Sequence, residues 1–211
     1  MMVRIFVLGI ALLIAPTMGV AGTEISKIWN TKEVKSADLT PFKKWRLAMS
    51  GFEKEKPLLD KPCPPDPNAS CGLFYWNKLI QNLKGKDRLE QIDAINAYVN
   101  DSLYVTDFNN WGVVDYWETP GEFYMKQGDC EDYAITKYMA LRALGFNPSE
   151  LRLAVVKDLN LNIGHAVLIV HVGSRLLLLD NQIKIVVDTD RVRHYKIFYS
   201  VNEKYWWRHV G

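Results

Sequence analysis

The chain has 211 residues, with 26 Lys and Arg against 24 Asp and Glu, a formal net charge of +2. That even balance leaves no electrostatic footprint for a nucleic-acid partner. Hydrophobic residues at 48% and aromatic residues at 12% exclude a disordered or low-complexity chain and suit a compact domain with a substantial core.

The opening segment, MMVRIFVLGIALLIAPTMGVAG, has the layout of a secretory signal. Arg4 gives a short positive start. Ile5 to Ala15 form an apolar run too short to span a bilayer comfortably, and Gly19 and Ala21 suit the −3 and −1 positions of a cleavage site. The sequence predicts an exported protein cleaved near Ala21; an uncleaved N-terminal anchor is the alternative. No later stretch is long and apolar enough to be transmembrane. Residues 22–211 then read as a single domain, with a helical lobe over about 22–145 and a β lobe over about 146–211.

In chain order, LTPFKKWRLAMSGF predicts a helix with Pro41 near its first turn. An irregular segment follows, and within it Cys63 and Cys71 bracket CPPDPNASC. In an oxidising compartment this pair is a disulfide candidate that would stiffen the loop. LFYWNKLIQNLKGK predicts a helix ending near Gly85. DRLEQIDAINAYVNDSL predicts a clearer one, with Leu89, Ile92, Ile95, Ala97 and Val99 on a broad apolar face. The aromatic stretch YVTDFNNWGVVDYWETPGEFYMKQG reads as loop plus a short helix after Pro120.

A helix from Cys130 to about Leu144 comes next, with Gly145 suited to its C′ position and Pro148 preventing continuation. Beyond it the pattern changes to period two. LRLAVVKD, HAVLIVHV, RLLLLDNQ and KIVVDTD predict strands. Helices first and an antiparallel sheet afterwards indicate an α+β fold.

Cys130 is the odd cysteine, and an unpaired cysteine in an exported chain is a candidate reactive thiol. At the first turn of a helix, free N–H groups and the dipole favour a thiolate and can also serve an oxyanion. The thiol needs a base and an orienter. If Gly173-Ser174 is a two-residue turn, Val172 faces Arg175, and His165 falls opposite Gln182 with Asp180 on the same sheet face. Such diagonal neighbours have α-carbons about 7–8 Å apart. Cys130, His165 and Asp180 can thus form a nucleophile, a base and an orienter. His171 sits at the wrong end of this hairpin.

Asp129, Glu131 and Asp132 crowd the thiol. As helix-start residues they make sense: Asp129 as N-cap, Asp132 completing a box, Glu131 in the first turn. Unpaired, they would raise the cysteine pKa. A hard cation such as Ca2+, which takes six to eight oxygens, would compensate them. The preceding loop offers Asp107, Asn109, Asn110, Asp115 and Glu118. Capping and ion binding both stand as readings of these acids. The aromatic end, YWWRHVG, is either a docking surface or ordinary core.

GDCEDYAITKYMALRALG, followed by GHAVLIV and LLLLDNQ, resembles the bacterial transglutaminase-like cysteine proteinases, specifically the periplasmic type that acts on biofilm adhesins. The resemblance extends from about Trp76 to Trp207 and includes DYWETPGEF. It implies a papain-like, transglutaminase-like core with a Cys130–His165–Asp180 triad. It also implies calcium at Asp129, Glu131 and Asp132, with Asp115 and Tyr116 as further ligands. The implied activity is cleavage of a large surface adhesin near its N-terminus, which releases it and disperses biofilm. The implied regulator is an inner-membrane receptor that senses cyclic-di-GMP, and the implied address is the periplasm. Two rival functions are acyl transfer to an amine, as in transglutaminases, and an inactive calcium-binding interaction module.

Overall fold

A computed structural model of the protein describes residues 28–64 and 71–210. The signal segment and the cleavage position near Ala21 lie outside them. Among the described residues, no helix is long and apolar enough to cross a membrane.

Six helices precede most of the sheet: α1 (Lys43–Glu55), α2 (Gly72–Leu83), α3 (Arg88–Asn100), α4 (Asp107–Trp111), α5 (Pro120–Lys126) and α6 (Cys130–Ala143). Cys63 and Cys71, the latter just before α2, are joined by a disulfide with α-carbons 5.4 Å apart. On α3 the predicted apolar face is only partly used. Ile92, Ile95 and Val99 are buried, whereas Leu89 is 39% exposed and Ala97 faces outward. Asn96 on α3 is buried instead, and its amide donates to the Lys184 carbonyl at 3.0 Å. Asn100, one helical turn later, donates to the Asp180 carbonyl at 2.7 Å. These two amides supply the backbone partners that a strand neighbour would otherwise give.

Among the described residues the sheet has seven strands: β1 (Lys32–Ser36), β2 (Leu151–Asp158), β3 (Ile163–Val172), β4 (Arg175–Leu179), β5 (Val187–Asp188), β6 (Tyr195–Val201) and β7 (Trp206–Val210). Their order is β1-β7-β6-β2-β3-β4-β5, and every pairing is antiparallel. Period-two alternation separates two cores. Leu168, Val170, Leu177 and Leu179 pack with the helices around α6. Val167, Ile169 and Leu178 pack on the opposite face with Ile28, Val192, Tyr195 and Ile197.

β1, from the N-terminal part, pairs with β7 at the end of the chain. One predicted strand shortens: KIVVDTD forms only the two-residue β5, and the Asn96 amide binds the carbonyl of its first residue, Lys184. Of the two readings of the YWWRHVG end, the structure shows core packing. Trp207 is buried, and Trp206 packs on Phe42 with ring centroids 5.1 Å apart. His209 is buried there as well, between Thr31 Oγ1 at 2.8 Å and Ser200 Oγ at 2.9 Å. Burial pushes its pKa down to about 4, so it joins these strands as a neutral ring.

Candidate active site

Cys130 is the first residue of α6, with Asp129 as its N-cap. The N-cap position comes from local chemistry: the Asp129 N–H donates to Asp132 Oδ2 at 2.9 Å, as a capping box requires. The approach to the nucleophile is strained. Gln127 adopts φ 66° and ψ 168°, a region that side chains other than glycine rarely occupy. It is held from three sides. Its N–H reaches the Phe123 carbonyl at 2.7 Å, its carbonyl accepts from Asn110 Nδ2 at 2.5 Å, and its Oε1 accepts from the Leu103 N–H at 2.8 Å. Gly128 follows, and a β-carbon there would lie 2.5 Å from Asp132 Oδ2. The chain enters the helix through a passage that only glycine fits.

The hairpin has the register that a two-residue Gly173-Ser174 turn dictates, with Val172 opposite Arg175 and Leu168 opposite Leu179. Gly173 takes φ 60° there, as primed hairpin turns demand. Three residues before Leu168 on β3, His165 Nε2 lies 2.9 Å from Asp180 Oδ1. Both residues are buried. The carboxylate accepts, so Nε2 carries the ring proton and Nδ1 is left as the basic nitrogen. The Gln182 side-chain amide lies 3.5 Å from Nδ1, and the Gln182 N–H donates to Asp180 Oδ1 at 2.9 Å. Burial works to raise the Asp180 pKa, but the bonds from His165, Tyr195 and Gln182 outweigh it and hold the carboxyl below its ordinary value.

The thiol adjoins this pair. The Ala166 backbone, one residue after His165, hydrogen-bonds the Cys130 sulfur. The thiol itself donates to Glu131 Oε2 at 3.2 Å. Burial first, then the charges of Glu131 and Asp129, push the Cys130 pKa up. With those acids uncompensated, the group at the helix start is a protonated thiol.

The acids cluster together, with Asp107, Glu118 and Asp132 buried, Asp129 and Glu131 half-buried and Asp115 exposed. Asp107, Asp129 and Asp132 can bring one carboxylate oxygen each within 4.8 Å of the others, and so can Asp107, Asp115 and Glu131. Asp132 Oδ1 accepts from the Glu118 N–H at 2.7 Å, and Asp107 Oδ2 accepts from the Tyr116 N–H at 2.5 Å. Among the described residues, Asp107 Oδ1, Glu118 Oε2 and Asp129 Oδ1 accept no hydrogen bond although they are buried. Burial raises Asp107 to about 6 and Glu118 to about 7, with help from neighbouring carboxylates. Burial, then a side-chain hydrogen bond with Asp129 and that group's charge, raise Glu131, and burial with Glu118 and Glu131 nearby raises Asp132. Asp115 stands at the surface, bonded to Lys44 and to Trp117 Nε1. Tyr116 gives its phenol to Glu122. Buried acceptors left unpaired are costly, and a hard cation is the partner that suits an all-oxygen set.

Sequence reasoning missed three participants. Tyr195 donates its hydroxyl to Asp180 Oδ2 at 2.6 Å, a contact invisible without the sheet order. Lys137 is completely buried; its ammonium makes no hydrogen bond among the described residues, lies over the Tyr133 ring 5.9 Å from the centroid, and feels the nearby Asp180 charge. Gln127 shows no strain in its sequence.

The family model described as bacterial transglutaminase-like cysteine proteinase BTLCP matches residues 68–211. The chain belongs to this family. Calcium-bound LapG from Legionella pneumophila is similar to this proteinase in structure, with a TM-score of 0.64 and 31% identity over 74% of this chain and 86% of that one. EGTA-treated LapG from the same organism gives a TM-score of 0.65 at 31% identity, covering 75% and 86%. No curated protein sequence matches the chain. The transglutaminase-like fold and a cysteine protease activity follow from this membership.

Proposed function

We propose that this cysteine protease is a calcium-dependent periplasmic endopeptidase that cleaves the N-terminal region of a large cell-surface adhesin, releasing it and promoting biofilm dispersal. An inner-membrane cyclic-di-GMP receptor is its proposed inhibitory regulator. The observation that carries the calcium reading is the set of buried carboxylate oxygens beside Cys130 that accept no hydrogen bond. The similarity to a LapG studied both calcium-bound and EGTA-treated supports it. Asp107, Asp129, Glu131 and Asp132 would hold the ion, with Asp115 at the rim. Tyr116, whose N–H already serves Asp107, has its carbonyl left to offer. When bound, the cation would offset the acids' charge, favour the thiolate and compete with the thiol for Glu131.

The residues of the chain perform the chemistry. His165 Nδ1 takes the thiol proton, and the Cys130 sulfur attacks the scissile carbonyl carbon. Asp180 holds the imidazolium through Nε2. The Cys130 N–H, in the first turn of α6 where N–H groups have no intrahelical acceptor, would donate to the developing oxyanion. His165 passes its proton to the leaving amine, which departs and leaves a thioester on Cys130. Nδ1 then deprotonates a water, whose oxygen displaces the sulfur and frees the new carboxylate.

The test is cleavage of an adhesin N-terminal fragment by the mature protein, with calcium and with a chelator. Cleavage in calcium alone is expected. Cleavage in both conditions would return the acids to helix capping, and no cleavage in either would overturn the adhesin as substrate.

A further inference from the structure

The two oxygens of Asp180 have different partners. Oδ1 meets His165 Nε2 at 2.9 Å and the Gln182 N–H at 2.9 Å, while Oδ2 meets the Tyr195 hydroxyl at 2.6 Å. Tyr195 comes from β6, separated from β3 by β2. It lies in the same buried layer as His165, with ring centroids 5.6 Å apart. We propose that Tyr195 is a positioning residue of the proteinase: its phenol holds Asp180 Oδ2 so that Oδ1 stays aimed at His165 Nε2.

Three features support the role. Without a donor, Oδ2 would be a buried carboxylate oxygen with no partner, free to rotate into the place of Oδ1 and carry the charge away from the imidazole. The phenol cannot readily leave its post as a proton donor. Burial, then the bond to Asp180 and that group's charge, keep its pKa raised, so it donates throughout the working range. Its ring is fixed as well, 4.3 Å from His194 and 6.1 Å edge-on from Trp29. Trp29 Nε1 in turn binds the Thr189 and Val192 carbonyls at 2.8 and 2.9 Å, in the turn that leads into β6.

The inference rests on the Cys130–His165–Asp180 assignment, and its main readout needs no substrate. The groups facing the Asp180–Tyr195 pair are His165 from β3, Lys137 and Cys130 from α6, Asp158 from β2 and His194 beside Tyr195. The experiment is a carboxyl-carbon NMR titration of the full mature chain and of its Tyr195→Phe variant, with Asp180→Asn assigning the resonance. Losing one of three donors should raise the Asp180 midpoint by about one pH unit. On any cleaved substrate, kcat should fall about tenfold with KM unchanged. In an Asp180→Asn background the same change should cost nothing further. An unmoved Asp180 midpoint overturns the proposal, including the case in which melting temperature and activity both drop, since that pattern marks a residue that only packs.

Discussion

Neutralising Glu118 separates a charge-strained ion site from a set of helix caps. Glu118 is completely buried, with Oε1 accepting from Trp111 Nε1 at 2.5 Å and Oε2 accepting no hydrogen bond among the described residues. Glu118→Gln keeps the shape and the Trp111 bond and removes only the charge. Burial, with Glu122, Asp107 and Asp129 nearby, lifts the carboxyl from 4.5 to about 7. Ionising it in the folded protein therefore costs about 3 kcal/mol at most, and about 1–3 kcal/mol once the loop relaxes. The sign follows from the raised folded-state pKa. The stability this group contributes is fully present below about pH 4.5 and is lost as pH rises through about 7. In chelator, the variant should match the wild type near pH 4.5 and melt roughly 3–10 °C higher at pH 8. In calcium, the proposed ion offsets the same charge, and the advantage should shrink. Differential scanning calorimetry across pH, with and without calcium, reads all of this. A variant that melts lower than wild type in chelator at pH 8, or whose shift ignores pH, would refute the electrostatic argument and leave Glu118 as a hydrogen-bonding loop residue.

Cys130→Ala should abolish cleavage and leave the melting temperature unchanged or raised, because it removes a thiol held among acids; residual cleavage would remove Cys130 from the mechanism. Gly128→Ala places a β-carbon 2.5 Å from Asp132 Oδ2. It should cost about 1–3 kcal/mol in a denaturant titration and lower kcat at least about tenfold, and wild-type values for both would show that the passage yields. Lys137→Met replaces a fully buried ammonium whose pKa burial pushes down to about 7, against the pull of Asp180. The wild type bears the cost of that charge below about pH 7 and sheds it toward 10.5. The variant should therefore melt several degrees higher at pH 6, with the gain fading at high pH. A loss of stability at pH 6 would instead mean that Asp180 depends on the charge.

Where signals are local, the sequence was decisive. Asp129 and Asp132, three residues apart, form a helix start wherever that helix is placed, and Cys130 is carried with them. Gly173-Ser174 permits a two-residue turn, and once the turn is two residues long, strict alternation carries His165 to Asp180 without further information. Those short-range rules placed Cys130 at the helix start and His165 beside Asp180, the proposed nucleophile, base and orienter. The remaining features depended on segments far apart in the chain. Whether β1 joins β7, whether Trp207 is core, and whether a tyrosine on β6 reaches Asp180 all turn on the order in which strands pair, which no local pattern encodes. The acids show the same division. Their number and type are plain in the sequence, but only packing buries Asp107 and Glu118 beside the nucleophile, and only burial makes uncompensated charge there costly.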